Sequence, residues 1–157
     1  MEKIEKKFFI RMLGKPKAKQ SVKFTESGIK YTPTDMVSYA NYVKLCFKHD
    51  YPEHLPHLLN GYNLAVNIYV YVKYPKSFSK KKRELAERGY IRPTVKPDWD
   101  NISKNICDAL NGIAYPDDKA IVDGTVHKYY ADSDYVNVDI TAFRWEWWSI
   151  HINLTRE

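Results

Sequence analysis

The sequence predicts an α+β fold, a single small domain in which helices pack on one mixed β-sheet. Residues 62–74 and 135–142 alternate between apolar and polar side chains, as half-buried strands do. Apolar residues spaced three and four apart over 102–110 instead predict an amphipathic helix. A length of 157 residues fits one domain with its own core. The order of these elements predicts helices over one sheet.

The N-terminal half is predicted to hold a strand, a basic loop and a helix. The strand covers residues 7–13. Residues 15–23 alternate basic and small side chains, which is typical of an exposed loop, and residues 30–32 are expected to return as a short strand. A helix follows over residues 33 to about 48, because proline is favoured in a first helical turn.

The C-terminal half is predicted to contain two further helices and a hairpin. Residues 79–89 form a short, highly charged helix, and residues 100–110 form a helix that an Asn-Gly pair ends. The strands 120–130 and 135–142 follow each other closely along the chain. We therefore expect them to pair as a hairpin.

The C-terminal extension, residues 143–157, carries three tryptophans within four residues. Rings of this size need a covering surface. Packing on the protein's own sheet is one interpretation, and burial in a subunit interface, where Trp is enriched, is the other. Stacking on DNA has no support in the sequence.

The chain is basic. Lys and Arg number 25 against 19 acidic residues, which gives a net charge of +6. Because many acidic residues are concentrated in one segment, much of the remaining surface must be basic. A basic surface around an acidic pocket fits a polyanionic substrate whose phosphates meet a bound metal. A soluble basic protein without such a partner would have the same charge.

Cysteine usage and the lack of long apolar runs predict a cytoplasmic protein with no membrane span. The two cysteines, Cys46 and Cys107, have no metal-ligand spacing and are expected to be small buried side chains in a reducing compartment. The apolar run at residues 8–10 is too short for a signal peptide. No segment reaches the roughly 20 apolar residues of a membrane-spanning helix.

Five aspartates and a lysine within 21 residues form the most informative segment. Asp98 and Asp100 are two residues apart, so in an extended segment both side chains would leave one face. If the helix starts near Asp100, Lys104 lies one turn further on, above that aspartate. The remaining carboxylates belong to Asp108, Asp117 and Asp118.

Converging carboxylates need a counter-charge. Two of them about 5 Å apart repel by roughly 3 kcal/mol at an effective dielectric constant near 20, so Lys104 alone does not balance three or four. Such a group binds a cation, has raised pKa values or keeps its members apart. Carboxylates without nearby His or Cys suit Mg²⁺ or Mn²⁺ and argue against structural zinc. In the alternative, Asp100 caps the helix, and Asp117 and Asp118 are turn residues.

Histidines and the charged helix are weaker signals. His54 and His57 have ligand-like spacing, but nearby prolines disfavour a helix and no Cys accompanies them. His127, on a predicted strand, is more typical of a packed or surface side chain than of a catalytic one. The run Lys80–Arg83 fits the solvated face of a short helix.

The basic loop is the better candidate for contact with a phosphate backbone. Its small residues would let a phosphate backbone approach closely, and its charges are available because the loop has little apolar content. A merely solvated loop is the alternative. The candidate DNA-binding residues are Lys15, Lys17, Lys19 and Lys23.

Several motifs occur in a fixed order along the chain. They are Lys96-Pro97-Asp98-x-Asp100-Asn101-x-x-Lys104, Asp108-Ala109-Leu110-Asn111-Gly112 and Tyr115-x-Asp117-Asp118 with Val122, after Gly14-Lys15-Pro16 and Tyr31-Thr32-Pro33. This set resembles the RusA family of Holliday junction resolvases over about residues 7–142. An ordered set of this kind is far more specific than one aspartate pair.

The resemblance implies a small homodimeric endonuclease of phage or prophage type that resolves four-way DNA junctions by paired symmetric nicks, in recombination, repair or genome processing. It implies Mg²⁺ as the cofactor, with Mn²⁺ as a substitute. Asp98, Asp100 and Asp118 would be metal ligands, Asp117 a supporting catalytic ligand and Lys104 the cation that faces the phosphate.

Two departures from the family pattern stand out. Trp99 occupies a position that is usually aliphatic, which predicts a bulkier packing site beneath the motif. The Trp-rich extension passes the usual end of these proteins, so no role is carried over to it. Two other functions fit the residues, a non-catalytic structure-specific DNA-binding protein and a metal-dependent nucleotide phosphohydrolase.

Overall fold

The computed structural model describes residues 1–15, 23–24, 30–31 and 34–147. Within them lie six strands and three α-helices in one small domain, which confirms the predicted α+β class. In chain order the elements are β1 (Glu2–Leu13), β2 (Lys23–Phe24), β3 (Lys30–Tyr31), α1 (Thr34–Asp50), β4 (Asn63–Lys73), α2 (Lys80–Glu87), α3 (Trp99–Leu110), β5 (Ile121–Ala131) and β6 (Tyr135–Glu146).

Four strands form a mixed sheet in the order β1-β6-β4-β5, and β2 and β3 form a separate antiparallel pair. β6 runs antiparallel to both of its neighbours, whereas β4 and β5 run parallel. A parallel pair needs a long crossover, and α2 and α3 lie within the connection from β4 to β5. The aspartate-rich helix is therefore part of this crossover.

The predicted hairpin between β5 and β6 is wrong, because β4 lies between these two strands. The Asp134 carboxylate accepts a 2.8 Å hydrogen bond from the Lys73 N–H at the end of β4. The Asp134 carbonyl accepts a 2.9 Å bond from the Gly14 N–H just after β1. These bonds hold the short β5–β6 connection across the end of β4. Alternate side chains of β4 are almost fully buried, and the central position in the sheet provides that burial.

β1 and β6 are longer than predicted, because each extends the other. Residues 2–5 pair with residues 143–146, so the start of the C-terminal extension belongs to the sheet. The charged sequence at the start of β1 hides this strand, since an edge position tolerates many polar side chains. Trp145 and Trp147 are 50% and 65% exposed, and residues 148–157 lie outside the described residues.

The core lies on the face of the sheet that α1 and α3 cover. Because strand side chains alternate between faces, every second residue of β4 and β6 points into it. α3 buries one side against this core and leaves the opposite side to solvent. Side chains with under 2% exposure include Ile10, Met12, Val43, Phe47, Leu64, Ile68, Ile102, Ile106, Leu110 and Ile140.

Tyrosine hydroxyls pair with backbone groups of Phe9 and Leu13 on the free edge of β1. The Phe9 N–H donates a 2.7 Å hydrogen bond to the Tyr51 hydroxyl, which in turn donates to the Phe9 carbonyl over 3.1 Å. The Leu13 N–H donates to the Tyr42 hydroxyl over 3.0 Å. Such an edge would otherwise offer unpaired groups to another chain.

We expect Tyr51→Phe to lower the free energy of unfolding by about 0.5–1.5 kcal/mol, because it removes the bonds to Phe9. The ring should keep its packing on Phe8 and Phe47. Tyr90→Phe is the matched control, since Tyr90 is 76% exposed. Urea unfolding followed by circular dichroism measures both variants. Equal stability of Tyr51→Phe and the unmodified protein would contradict a stabilising role for this edge.

Candidate active site

Asp98 and Asp100 lie at the exposed N-terminal end of α3. Asp98 is the N-cap residue, with an extended backbone (φ −72°, ψ 152°), and its side chain makes no capping hydrogen bond. Asp100 is already in the first helical turn, so it is not the cap. The expectation that both carboxylates leave one face of an extended segment is therefore wrong. Both suit the positive end of the helix dipole.

A charged stripe of Asp100, Lys104 and Asp108 runs along one side of α3, because these residues are four apart. Lys104 thus lies one turn beyond Asp100, as predicted. Asp100 and Lys104 are exposed, and Asp108 is half-buried. The stripe spans about 12 Å along the helix axis at about 1.5 Å per residue. The acidic groups are spread along the helix.

The second acidic group lies beside the C-terminal end of α3. Asp117 caps the short turn before β5, where its carboxylate accepts a 3.0 Å hydrogen bond from the Lys119 N–H and pairs with the Lys119 ammonium at 3.4 Å. The backbone bond is the main cause of the lowered pKa of Asp117. Burial raises the pKa of Asp118, and the nearby Asp117 and Asp108 raise it further. A hydrogen bond with Asn111 acts in the opposite direction and lowers it. Asp108, Asp117 and Asp118 are therefore neighbours.

The predicted ligands Asp98, Asp100 and Asp118 are not brought together. In the part of the chain that the structure describes, no three His, Cys, Asp or Glu side chains form a group that could hold a metal. α3 is the reason, because Asp98 precedes its first residue and Asp118 lies near Asp108 in its last turn. The all-oxygen donor set still suits Mg²⁺, which is commonly held by one or two carboxylates together with waters and substrate phosphates. The metal-ligand roles stay predictions.

An apolar pocket of about 190 Å³, the α3–β5 pocket, opens between α3 and the parallel strands β4 and β5. Trp99 is 59% exposed at this pocket, so the bulkier packing site predicted beneath the motif is wrong. The tryptophan borders an opening instead of filling the core. The lining residues are Trp99, Ser103 and Cys107 of α3, Val66 and Ile68 of β4, and Ile121, Gly124, Thr125 and Val126 of β5.

Lys128 is a charged neighbour of the aspartate motif that the sequence reasoning missed. It lies on β5, and its ammonium donates a hydrogen bond to the Val95 carbonyl. Burial lowers the pKa of Lys128, and the charge of Asp98 opposes this shift. The available signal was strand alternation, since Val126 and Lys128 share one face of β5 and Val126 packs against the core.

The family model of endodeoxyribonuclease RusA matches residues 14–141. The chain belongs to the RusA family. A protein of Bacillus subtilis (strain 168), the uncharacterized protein YqaN, is 43% identical over 90 residues. The matched segment covers 56% of this chain and 63% of that relative, so it spans less than two thirds of the relative's length.

Of the four lysines predicted to contact DNA in this RusA-family chain, Lys15 is exposed. The backbone of Lys23 lies in β2 and pairs with β3. Lys17 and Lys19 lie outside the described residues. The role of all four in DNA binding stays a prediction.

Two of the three histidines singled out by spacing or position, His54 and His127, have packing contacts, and His57 is exposed. His54 Nε2 lies 2.8 Å from the Ala114 carbonyl oxygen, and its ring meets Phe8 edge-on. His127 stacks on Tyr69 with 5.3 Å between ring centroids.

No helix among the described residues is long and apolar enough to cross a membrane. Both cysteines are free and half-buried.

Proposed function

We propose that the protein is a Mg²⁺-dependent endonuclease that resolves four-way DNA junctions by paired symmetric nicks. The observation that carries this proposal is the charged stripe of α3, with Asp100 and Lys104 exposed, in a RusA-family chain with a net charge of +6. A non-catalytic DNA-binding protein would gain nothing from carboxylates that repel a polyanion. A nucleotide phosphohydrolase would not need the basic loop. A cytoplasmic location and a phage or prophage origin are part of the proposal.

Asp98 and Asp100 at one end of α3 and Asp118 at the other would hold Mg²⁺ or Mn²⁺, each end supplying one or two carboxylates that waters and substrate phosphates complete. The pKa of Asp118 is raised by burial and also by Asp117 and Asp108, which supports this role, since a cation relieves repulsion among carboxylates. When bound, the metal supplies Lewis-acid activation of water and stabilisation of the phosphate's charge.

The protein's own groups position the DNA strand and balance its charge. Lys104 is exposed one turn beyond Asp100, where its ammonium can contact a non-bridging phosphate oxygen and neutralise developing charge. Asp117, held by the Lys119 N–H, would support Asp118 as a neighbouring carboxylate. Lys128 adds a fixed positive charge beside Asp98.

One cleavage assay separates the three candidate functions. A labelled synthetic four-way junction, a linear duplex of the same sequence and free nucleotides are each incubated with Mg²⁺, with Ca²⁺ and with excess EDTA. We expect paired nicks in the junction with Mg²⁺, binding with little turnover in Ca²⁺, and no cleavage in EDTA. Robust cleavage in EDTA would contradict the metal mechanism. Binding without cleavage would favour the DNA-binding protein, and nucleotide hydrolysis the phosphohydrolase.

We expect a homodimer, because a two-fold junction presents two equivalent phosphates and a two-fold dimer presents two equivalent sites. Light scattering should report about twice the chain mass of 18.5 kDa, both free and on the junction. A chain that stays monomeric on the junction would contradict paired nicking.

Replacing Lys17 and Lys19 with Ala should weaken junction binding and flatten its log–log salt dependence by about one to two units, because each neutralised phosphate adds roughly 0.9. Folding stability should change by less than about 0.5 kcal/mol if these side chains are exposed, as predicted. Titrations of labelled junction at several salt concentrations give the slope. A control pair, Lys80 and Lys81 to Ala, removes equal charge from exposed positions on α2. If the salt slope of the loop variant equals that of the unmodified protein, the loop lysines are solvated and do not contact DNA.

A further inference from the structure

The α3–β5 pocket and the charged stripe occupy adjacent sides of the same helix. Trp99, Ser103 and Cys107 each precede one member of the stripe by a single residue, which is a rotation of about 100° around the axis. The pocket also lies between the two acidic ends, with Trp99 next to Asp98 at one end. If a ligand bound with its phosphate at the stripe, the group attached to that phosphate would lie over the pocket.

The pocket lining suits a flat apolar ring. Trp99 is 59% exposed and offers a large aromatic surface at the mouth. Val66 and Ile68 line the pocket from β4, and Gly124, which pairs with Val66 on the neighbouring strand, contributes no side chain. All nucleobases stack readily on such aromatic groups, because every base has a flat π-face.

A positive charge lies near one end of this pocket. Lys128 is two residues beyond the lining residue Val126 on the same face of β5, and its charge acts on Asp98. Exposed Lys104 lies on the neighbouring stripe. Two cations beside an apolar pocket suit a ligand that joins a flat ring to negative charge, so the charges favour nucleic acid over an apolar protein segment.

We propose that the α3–β5 pocket accepts one unpaired nucleobase from the nucleotide next to the phosphate that is cut, with Trp99 stacking on it. The proposal rests on the proposed nuclease function. A paired base cannot enter, because its partner and its stacked neighbours hold it in the duplex. A branch point offers bases that are cheap to unpair, so the pocket would favour branched DNA over linear duplex.

The test combines a base deletion with a side-chain deletion. A single abasic residue is moved through the nucleotides around the mapped cut, and junction affinity in Ca²⁺ and single-turnover cleavage in Mg²⁺ are measured. One abasic position beside the cut should weaken binding or cleavage by about 10-fold, which is within the range for a lost base–aromatic stack. Trp99→Ala should show the same loss on the intact junction and no further loss on that abasic junction. Trp99→Phe should recover most of the loss.

Trp145→Ala is the matched control, since Trp145 is 50% exposed on β6 and does not line the pocket. It should keep the full abasic effect. Equal sensitivity of Trp99→Ala and the unmodified protein to every abasic position would overturn the base pocket while leaving cleavage, and so the proposed function, intact. Trp99→Ala could instead abolish dimerisation while abasic positions have no effect in the unmodified protein. That result would assign the pocket to contact with a second copy of the chain and would overturn its base-binding role.

Discussion

Asp98→Asn and Asp118→Asn are each expected to slow junction cleavage by at least about 100-fold. Substitution of residues that only hydrogen-bond to metal ligands commonly lowers metal affinity or activity by about 10- to 100-fold. Loss of the charge of a ligand itself should therefore lower activity further. Asparagine keeps the shape of aspartate, so folding should persist. Junction affinity in Ca²⁺ should hold or rise, because one negative charge near the phosphates is gone.

Single-turnover cleavage in Mg²⁺, with affinity measured separately, checks this expectation. Asp132→Asn is the matched control, since Asp132 is exposed in the turn between β5 and β6. An Asp118→Asn protein that cuts at the unmodified rate would remove Asp118 from the active site. The two variants also test the geometry, since their carboxylates lie at opposite ends of α3 and both must act if one site uses them.

Lys104→Ala is expected to lower the cleavage rate of bound junction by about 100-fold, the typical cost of removing one group that stabilises transition-state charge. Its effect on binding should be small, with the salt slope changing by no more than about one unit. This pattern is the reverse of that expected for the loop lysines.

Rates at saturating protein and slopes from salt titrations separate the two effects. Lys76→Ala is the control, because Lys76 is exposed in the loop between β4 and α2. It should leave the cleavage rate unchanged. If Lys104→Ala flattens the slope but cuts bound junction normally, Lys104 is a DNA-binding residue and has no part in catalysis.

Local patterns in the sequence were enough to predict the helices and the main strands. The alternation that predicted β4 and β6 and the apolar spacing that predicted α3 are set by contacts within each element. The Asn-Gly pair likewise predicted the end of α3. Gly112 has a positive φ of 68° there, a conformation that glycine tolerates best. The charged start of β1 escaped prediction, since its strand depends on pairing with β6.

The sequence by itself determined the class of the fold, the elements that carry the aspartates, and the ordered motifs of the RusA family. Only the tertiary structure decided the insertion of β4 between β5 and β6, the separation of the acidic groups by α3, and the approach of Lys128 to Asp98. Periodicity reports which side of an element is buried and leaves its neighbours unspecified. Those neighbours depend on contacts between segments far apart in the chain, and they set the shape of the candidate site.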